Sequence, residues 1–201
     1  MRITFLLSAA VQLFLASAGM AQGTTHWTAQ LEVGADRYWG GSVGLAEEHR
    51  SFRPYRPTVF GIGLERRGRS LGVGLDLRYL EASLGLEGTG AVAAVDGVFQ
   101  VVSLAPELTY HIATLGPVAQ LRLHGGPVLE FWDVIDQDAR TRLGAQAAAS
   151  LDIPLGGRFA GSVLFGLAVI PSPFAAEQLG SDYDTSTLWR RRVAGALRYR
   201  L

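Results

Sequence analysis

Apolar and polar residues alternate along most of the chain, which is the pattern of a β-strand with only one face in apolar surroundings. Turn residues divide this pattern into eight runs. The runs cover residues 27–37, 58–66, 70–80, 97–112, 117–131, 141–153, 158–170 and 189–201. The sequence therefore predicts an all-β fold with eight strands.

The connectors between these runs alternate in length. Short connectors fall at 67–69, 113–116 and 154–157, and longer ones at 38–57, 81–96, 132–140 and 171–186. Antiparallel up-and-down transmembrane barrels have this asymmetry, with short periplasmic turns and longer outside loops. The same topology places aromatic residues in two belts, as a bilayer with two interfaces requires. The inner belt has Trp27, Tyr110, Phe159 and Tyr199, and the outer belt has Tyr38, Trp39, Tyr79, Phe99, Phe131, Trp132 and Trp189.

Charged residues fall on the faces opposite the apolar ones. An eight-stranded barrel is too narrow to hold the large apolar side chains of every strand, so we expect the apolar face to meet lipid. The lumen is then filled by pairs of arginines and carboxylates. The candidates for these pairs are Glu32, Glu65, Asp76, Arg78, Glu107, Arg122, Glu130, Arg142, Asp152, Arg158, Arg192 and Arg198. Proline cannot donate to a strand ladder, so we expect a bulge at Pro106 and a position near the outer rim for Pro127.

The first residues have the layout of a secretory signal. Arg2 precedes an apolar run over residues 3–16, and small residues follow up to Ala21. We expect a signal peptide over residues 1–21 and a barrel domain over residues 22–201. The alternative is an N-terminal anchor, for which the apolar run is short.

Composition excludes several classes of protein. The 201 residues contain no cysteine, and the 18 basic residues balance the 18 acidic ones. The sequence therefore predicts no disulfide framework and no nucleic-acid partner. No run of apolar residues is long enough for a membrane-spanning helix.

The eight-strand pattern and the closing residues 193–201, VAGALRYRL, resemble the small outer-membrane barrels of the OmpA/OmpX type. The resemblance implies a monomer in the bacterial outer membrane, among lipids and lipopolysaccharide, with a structural or surface-interaction role through four outside loops. It also implies that the outer-membrane assembly machinery reads the closing strand. The residues that match this assembly signal are Val193, Leu197, Tyr199 and Leu201, where Leu201 stands in place of the usual terminal Phe.

Two other functions remain open from the sequence. Some barrels of this class modify lipid A, and the first loop carries Glu47, Glu48, His49 and Ser51. We interpret this group as a solvated loop, because its resemblance to the His-x-Ser of lipid A deacylases is faint and the following Asn is missing. A narrow pore is the other possibility, although side chains fill the interior of eight-stranded barrels.

The remaining polar residues predict no catalytic residue, cofactor or metal site. His111 and His124 are expected to complete lumen hydrogen bonds, and the spacing of Asp133, Asp136 and Asp138 does not match a calcium loop. Arg190 and Arg191 are expected at the outer rim beside Trp189. Guanidinium groups there suit the phosphates of lipopolysaccharide.

Overall fold

The computed structural model describes residues 25–44, 51–88, 91–116, 119–134, 139–174 and 183–201. Over these ranges eight strands pair in sequence order, each antiparallel to its neighbours, and β1 closes the barrel against β8. The strands are β1 (His26–Gly44), β2 (Ser51–Arg67), β3 (Leu71–Gly88), β4 (Ala91–Leu115), β5 (Ala119–Val134), β6 (Arg140–Gly156), β7 (Phe159–Ile170) and β8 (Tyr183–Arg200). The predicted closed eight-stranded barrel is confirmed. The expected signal peptide and the loop residues Glu47, Glu48 and His49 lie outside the described residues, and Ser51 begins β2.

Several strands are much longer than the sequence predicted. The expected outside loops at 38–57 and 81–96 are largely strand, and β4 alone has 25 residues. A tilted strand of about 9–11 residues is enough to cross a bilayer. The outer ends of these strands therefore continue well beyond that length. β1 stays paired with β8 out to Gly44 with Tyr183, β2 with β3 out to Ser51 with Glu87, and β3 with β4 out to Gly88 with Ala91. We call the outer ends of β1 and β2, and those of β3 and β4, the long hairpins.

The two prolines are accommodated differently from the prediction. Leu104 pairs with Leu129 and Leu108 with Gly125, an equal advance on both strands, so no bulge lies at Pro106. The register shift in this ladder comes later, between His111 and Ala113. Pro127 is opposite Ala145 in the middle of β5 and not at the rim. Its ring is exposed on the outer surface.

The outer surface of the barrel is apolar. Leu31, Phe60 and Phe165 are each about 60 % exposed, at 62 %, 59 % and 60 %. Residues next to them in sequence point inward, because side chains alternate across a sheet. Such a continuous exposed apolar surface on a closed barrel, with charges inside, is that of a transmembrane barrel. No helix among the described residues is long and apolar enough to cross a bilayer.

An apolar cluster occupies the lumen at the end of the barrel where the long hairpins lie. Its members are buried inside the barrel: Tyr38, Val59, Leu80, Ala82, Phe99, Val101, Trp132, Val134, Phe174 and Leu188. We call this group the apolar cap. The expectation that Tyr38, Phe99 and Trp132 belong to the outer aromatic belt is therefore wrong. These rings are buried, and they pack edge to face with centroids 6.1–6.2 Å apart.

Candidate functional site in the lumen

Below the apolar cap, the lumen is packed with charged side chains in three groups along the barrel. The described residues include seven buried carboxylates and six buried guanidinium groups. They are Glu32, Asp36, Glu65, Asp76, Glu107, Glu130 and Asp152 with Arg67, Arg78, Arg122, Arg190, Arg192 and Arg198. We call them together the ion-paired plug. Alternation along each strand places them here, since every one lies on the inward-facing parity of its strand.

The first group lies toward the end of the barrel that carries the short turns. Arg67 Nε donates to Glu65 Oε2 at 2.7 Å, and its Nη1 donates to Asp152 Oδ2 at 2.8 Å. Arg198 Nη1 donates to the same Glu65 oxygen at 3.1 Å. Arg122 Nε lies 3.7 Å from Asp152 Oδ2. Two carboxylates therefore hold three guanidinium groups, and this group keeps one excess positive charge.

The second group is centred on Arg78. Arg78 Nη2 donates to Asp76 Oδ2 at 2.8 Å and to Glu107 Oε1 at 3.1 Å. Its Nε lies 3.6 Å from Glu32 Oε1. One guanidinium thus faces three carboxylates. Two side-chain amides also donate to these carboxylates. Gln30 Nε2 donates to Asp76 Oδ1 at 2.8 Å, and the amide of Gln146 donates to Glu107.

The third group joins the plug to the apolar cap. Arg192 donates to both oxygens of Asp36, and Arg190 donates to Glu130. Arg190 Nε also lies 3.5 Å from Asp36 Oδ2. Arg190 is only 2 % exposed, so the expectation of an outer-rim position for it is wrong. Its neighbour Arg191 does point outward, with its guanidinium 5.0 Å from the ring centroid of Trp39.

Two of the arginines expected in lumen pairs lie elsewhere. Arg142 is near the outer end of β6, where its Nε donates to the carbonyl oxygen of Ser172 at 2.7 Å. Arg158 is exposed in the turn between β6 and β7, next to the two positive-φ glycines that make this turn. The other ten candidates lie in the plug. Arg67 was missed as a plug member because the second predicted strand ended at residue 66. Arg190 was missed because it was assigned to the outer rim, although both arginines lie on inward-facing positions.

A serine, a histidine and a carboxylate form a row inside the plug. His124 Nδ1 lies 3.2 Å from Glu107 Oε2, and its Nε2 lies 2.8 Å from Ser150 Oγ. This order is that of a catalytic triad. Ser150 also donates to Asp152 Oδ1 at 3.3 Å, and it is 1 % exposed. The three side chains thus satisfy one another's buried polar atoms.

The other polar candidates lie apart from one another where the structure describes them. His111 lies at the short-turn end with its Nε2 3.2 Å from Thr114 Oγ1. Asp133 is exposed on β5, and Asp136 and Asp138 lie outside the described residues. Within the described ranges, no group of three or more His, Asp or Glu side chains is arranged to hold a metal ion.

The residues expected to form the assembly signal lie on the outer surface of β8. Val193, Leu197 and Leu201 are exposed to the surroundings of the barrel. Tyr199 packs on Phe159 of β7 with ring centroids 4.9 Å apart. The amide of Leu201 donates to the carbonyl oxygen of Trp27 at 2.9 Å, so the chain end completes the closure against β1.

Comparison with solved structures places the fold among small outer-membrane barrels. The crystal structure of Neisserial surface protein A covers 89 % of this chain and 99 % of its own, with 10 % identity and a TM-score of 0.58. OprG from Pseudomonas aeruginosa covers 90 % and 97 %, with 11 % identity and a TM-score of 0.52. A major outer membrane protein from Thermus thermophilus covers 87 % and 99 %, with 13 % identity and a TM-score of 0.51. No protein-family model and no curated protein matches the sequence.

Proposed function

We propose that this protein is a monomeric integral protein of the bacterial outer membrane with a closed lumen, and that it acts through the surface of its long hairpins. The observation that carries the proposal is the filling of the lumen by two successive layers, the ion-paired plug and the apolar cap. Trp132 and Arg190, at the junction of the layers, are 1 % and 2 % exposed. A solute crossing the barrel would have to displace both layers.

The orientation follows from the same fold. Barrels of this kind carry short turns on the periplasmic side and long loops outside. The long β1–β2 and β3–β4 hairpins then extend into the extracellular space, where they offer a surface to a partner. Export by a signal peptide over residues 1–21 and recognition of Val193, Leu197, Tyr199 and Leu201 by the assembly machinery belong to this proposal.

Two experiments test the closed outer-membrane barrel. Fractionation of the expressing bacterium should recover the mature chain in the outer membrane, starting at Gln22. In planar bilayers the purified protein should give no steady single-channel conductance, whereas a sixteen-stranded porin in the same bilayer conducts. Steady conductance would instead support a narrow pore and would contradict the closed lumen.

An arginine pair on the outer surface supports contact with lipopolysaccharide phosphates. Arg37 and Arg191 are direct cross-strand partners on β1 and β8, and both are exposed. Like charges directly opposite each other destabilise a sheet. Trp39 and Trp189 stack beside them with their planes 11° apart. A bound phosphate would relieve the repulsion, because guanidinium groups bind it by paired hydrogen bonds.

The lipopolysaccharide contact is tested by thermal unfolding of the detergent-solubilised protein. Added lipopolysaccharide should raise the Tm of the native protein, because a ligand that binds only the folded state stabilises it. The Arg37→Gln/Arg191→Gln variant should lose that rise. Arg66→Gln/Arg140→Gln removes two partly exposed arginines of β2 and β6, away from the Trp39–Trp189 stack, and should keep it. An equal rise in all three proteins would contradict the contact.

An enzyme is the second candidate, because the Ser150–His124–Glu107 row has triad distances. A fluorophosphonate probe tests it by labelling an activated serine. We expect no labelling of the folded protein, and labelling that disappears in Ser150→Ala would establish the enzyme.

The loop residues are tested separately: His49→Ala/Ser51→Ala should leave the lipid A mass spectrum unchanged.

A further inference from the structure

A cavity of about 680 Å³ opens at the end of the barrel that carries the short turns. It lies under the first group of the plug and is bounded by the turns between β2 and β3 and between β6 and β7. Its charged lining is dominated by one residue type: Arg67, Arg69, Arg122, Arg158, Arg198 and Arg200. Asp152 is the acidic residue among the lining side chains, and His26 and His111 add two imidazoles. We call this cavity the arginine vestibule.

The buried part of the vestibule has more hydrogen-bond donors than acceptors. Arg67, Arg122 and Arg198 are 6 %, 4 % and 2 % exposed, and they share only Glu65 and Asp152. Five of their nitrogens have no hydrogen-bond acceptor: Arg67 Nη2, Arg122 Nε and Nη1, and Arg198 Nε and Nη2. Leaving a donor of a buried charged group unsatisfied is costly, so an added acceptor here is favourable.

Arg122 is the least neutralised of the three. Its one hydrogen bond to a described side chain runs from Nη2 to the neutral amide oxygen of Gln120, at 3.2 Å. Its distance to the Asp152 carboxylate is 3.7 Å, which is too long for a hydrogen bond. Arg67 and Arg198, in contrast, each hydrogen-bond a carboxylate. Arg122 therefore carries a positive charge in the vestibule wall that no described carboxylate neutralises through a hydrogen bond.

The position of these arginines in a cleft strengthens their attraction for anions. A cleft lined by one sign of charge with low-dielectric walls focuses the field and concentrates counter-ions. The exposed Arg69, Arg158 and Arg200 stand at the entrance, and the buried arginines lie deeper. Multivalent oxyanions match this arrangement, since several acceptor oxygens can bind several guanidinium groups at once.

We propose that the arginine vestibule is a binding site for multivalent phosphate-type oxyanions, with Arg122 as the central ligand and Arg158 and Arg200 at the entrance. The proposal is independent of the outer-surface role, because the vestibule and the long hairpins lie at opposite ends of the barrel. It predicts that the barrel end opposite the hairpins recognises phosphorylated compounds or the phosphate of a lipid headgroup.

The test is calorimetric titration of inorganic pyrophosphate into the full mature chain in an uncharged, phosphate-free detergent at low salt. We expect saturable binding of one pyrophosphate per chain, and a weakening of about tenfold or more in Arg122→Gln. Affinity should also fall as salt rises, because the entrance arginines are exposed to screening. Absence of saturable binding to the native chain would overturn the proposal.

Matched variants separate the vestibule from a general loss of positive charge. Arg158→Gln/Arg200→Gln changes two exposed residues, so it tests the site even if Arg122→Gln fails to fold. It should weaken pyrophosphate binding, whereas Arg140→Gln/Arg142→Gln, with the same loss of charge at the outer end of β6, should leave it unchanged. Equal weakening in both double variants would overturn the site.

The source of the phosphate is resolved by repeating the titration in lipid nanodiscs. If pyrophosphate binds as tightly in discs with phosphatidylglycerol as in detergent, the ligand is a soluble phosphorylated compound. If the anionic lipid competes with pyrophosphate, and the competition is lost in Arg158→Gln/Arg200→Gln, the ligand is a lipid headgroup.

Discussion

Arg192 binds Asp36 through two parallel hydrogen bonds, from Nε at 2.8 Å and from Nη2 at 2.9 Å. The two residues are direct cross-strand partners on the last and first strands of the barrel. This bidentate pair therefore lies across the seam where β1 and β8 close the barrel. Its carboxylate is completely buried, since Asp36 is 0 % exposed. Closure of the fold and filling of the lumen depend on the same contact.

Asp36→Asn should destabilise the barrel substantially. It leaves Arg190 and Arg192 with less negative charge around them, and breaking a buried ion pair costs about 3–5 kcal/mol. The measurement is the free energy of unfolding by urea in lipid vesicles. Glu81→Gln, which changes an exposed carboxylate on β3, is the control and should stay within about 0.5 kcal/mol of the native protein. Equal stability of the two variants would show that the seam pair does not hold the barrel closed.

Gly126→Ala should disturb the contact between β4 and β5. An added Cβ at this position would lie 2.1 Å from the carbonyl oxygen of Pro106, so the backbone has to move. Overpacking of this kind costs about 1–3 kcal/mol, and a backbone obstacle puts the cost at the upper end. Gly195→Ala is the matched control, since nothing lies within 4 Å of its added Cβ. Both are measured by urea unfolding, and a neutral Gly126→Ala would contradict the close approach at Pro106.

Brominated lipids should distinguish two tryptophans near the same end of the barrel. Trp189 is 43 % exposed on the outer surface and Trp132 is 1 % exposed in the apolar cap. Bromine quenches indole fluorescence at short range, so a variant with Trp189 alone should be quenched strongly and a variant with Trp132 alone very little. The other tryptophans are replaced by Phe in each variant. Equal quenching of the two variants would mean that Trp132 faces lipid, which would contradict the apolar cap.

Tyr199→Ala and Phe159→Ala should separate stability from assembly. Both remove the same ring contact, so their free energies of unfolding should fall by similar amounts, about 3 kcal/mol or less at this half-exposed site. Only Tyr199 belongs to the proposed assembly signal. In cells, therefore, Tyr199→Ala should give a smaller heat-modifiable, folded fraction in the outer membrane than Phe159→Ala. Equal folded fractions would mean that Tyr199 acts through packing alone.

Alternation in the sequence was sufficient to predict the number of strands, the closed antiparallel barrel and most of the inward charges. Alternation also accounts for the inward position of Tyr38 and Trp132, which the prediction placed in the outer aromatic belt. Asp36 and Tyr38 have the same parity on β1, and Glu130 and Trp132 have the same parity on β5, so Tyr38 and Trp132 follow the charges into the lumen. The error was to end the strands at the expected membrane boundary, because backbone pairing continues past it.

Sequence patterns could not predict which arginine pairs with which carboxylate in the lumen. Arg67 reaches Asp152 across 85 positions of sequence, on strands that are not neighbours in the sheet. Such a contact depends on the tilt and stagger of the closed barrel, which periodicity does not specify. The inward position of Arg67 follows from its strand, but its choice of carboxylate follows only from the three-dimensional arrangement.

The most direct test of the transmembrane barrel is nitroxide labelling in lipid vesicles, which is simple in a chain without cysteine. Single cysteines at Leu31, Ile62 and Val193 report the outer surface, and single cysteines at Thr28 and Gln120 report the arginine vestibule. The three outward labels should collide with dissolved oxygen and be protected from a water-soluble nickel chelate, and the two inward labels should show the reverse. Outward labels that collide freely with the nickel chelate, in a protein that stays monodisperse without detergent, would contradict the account.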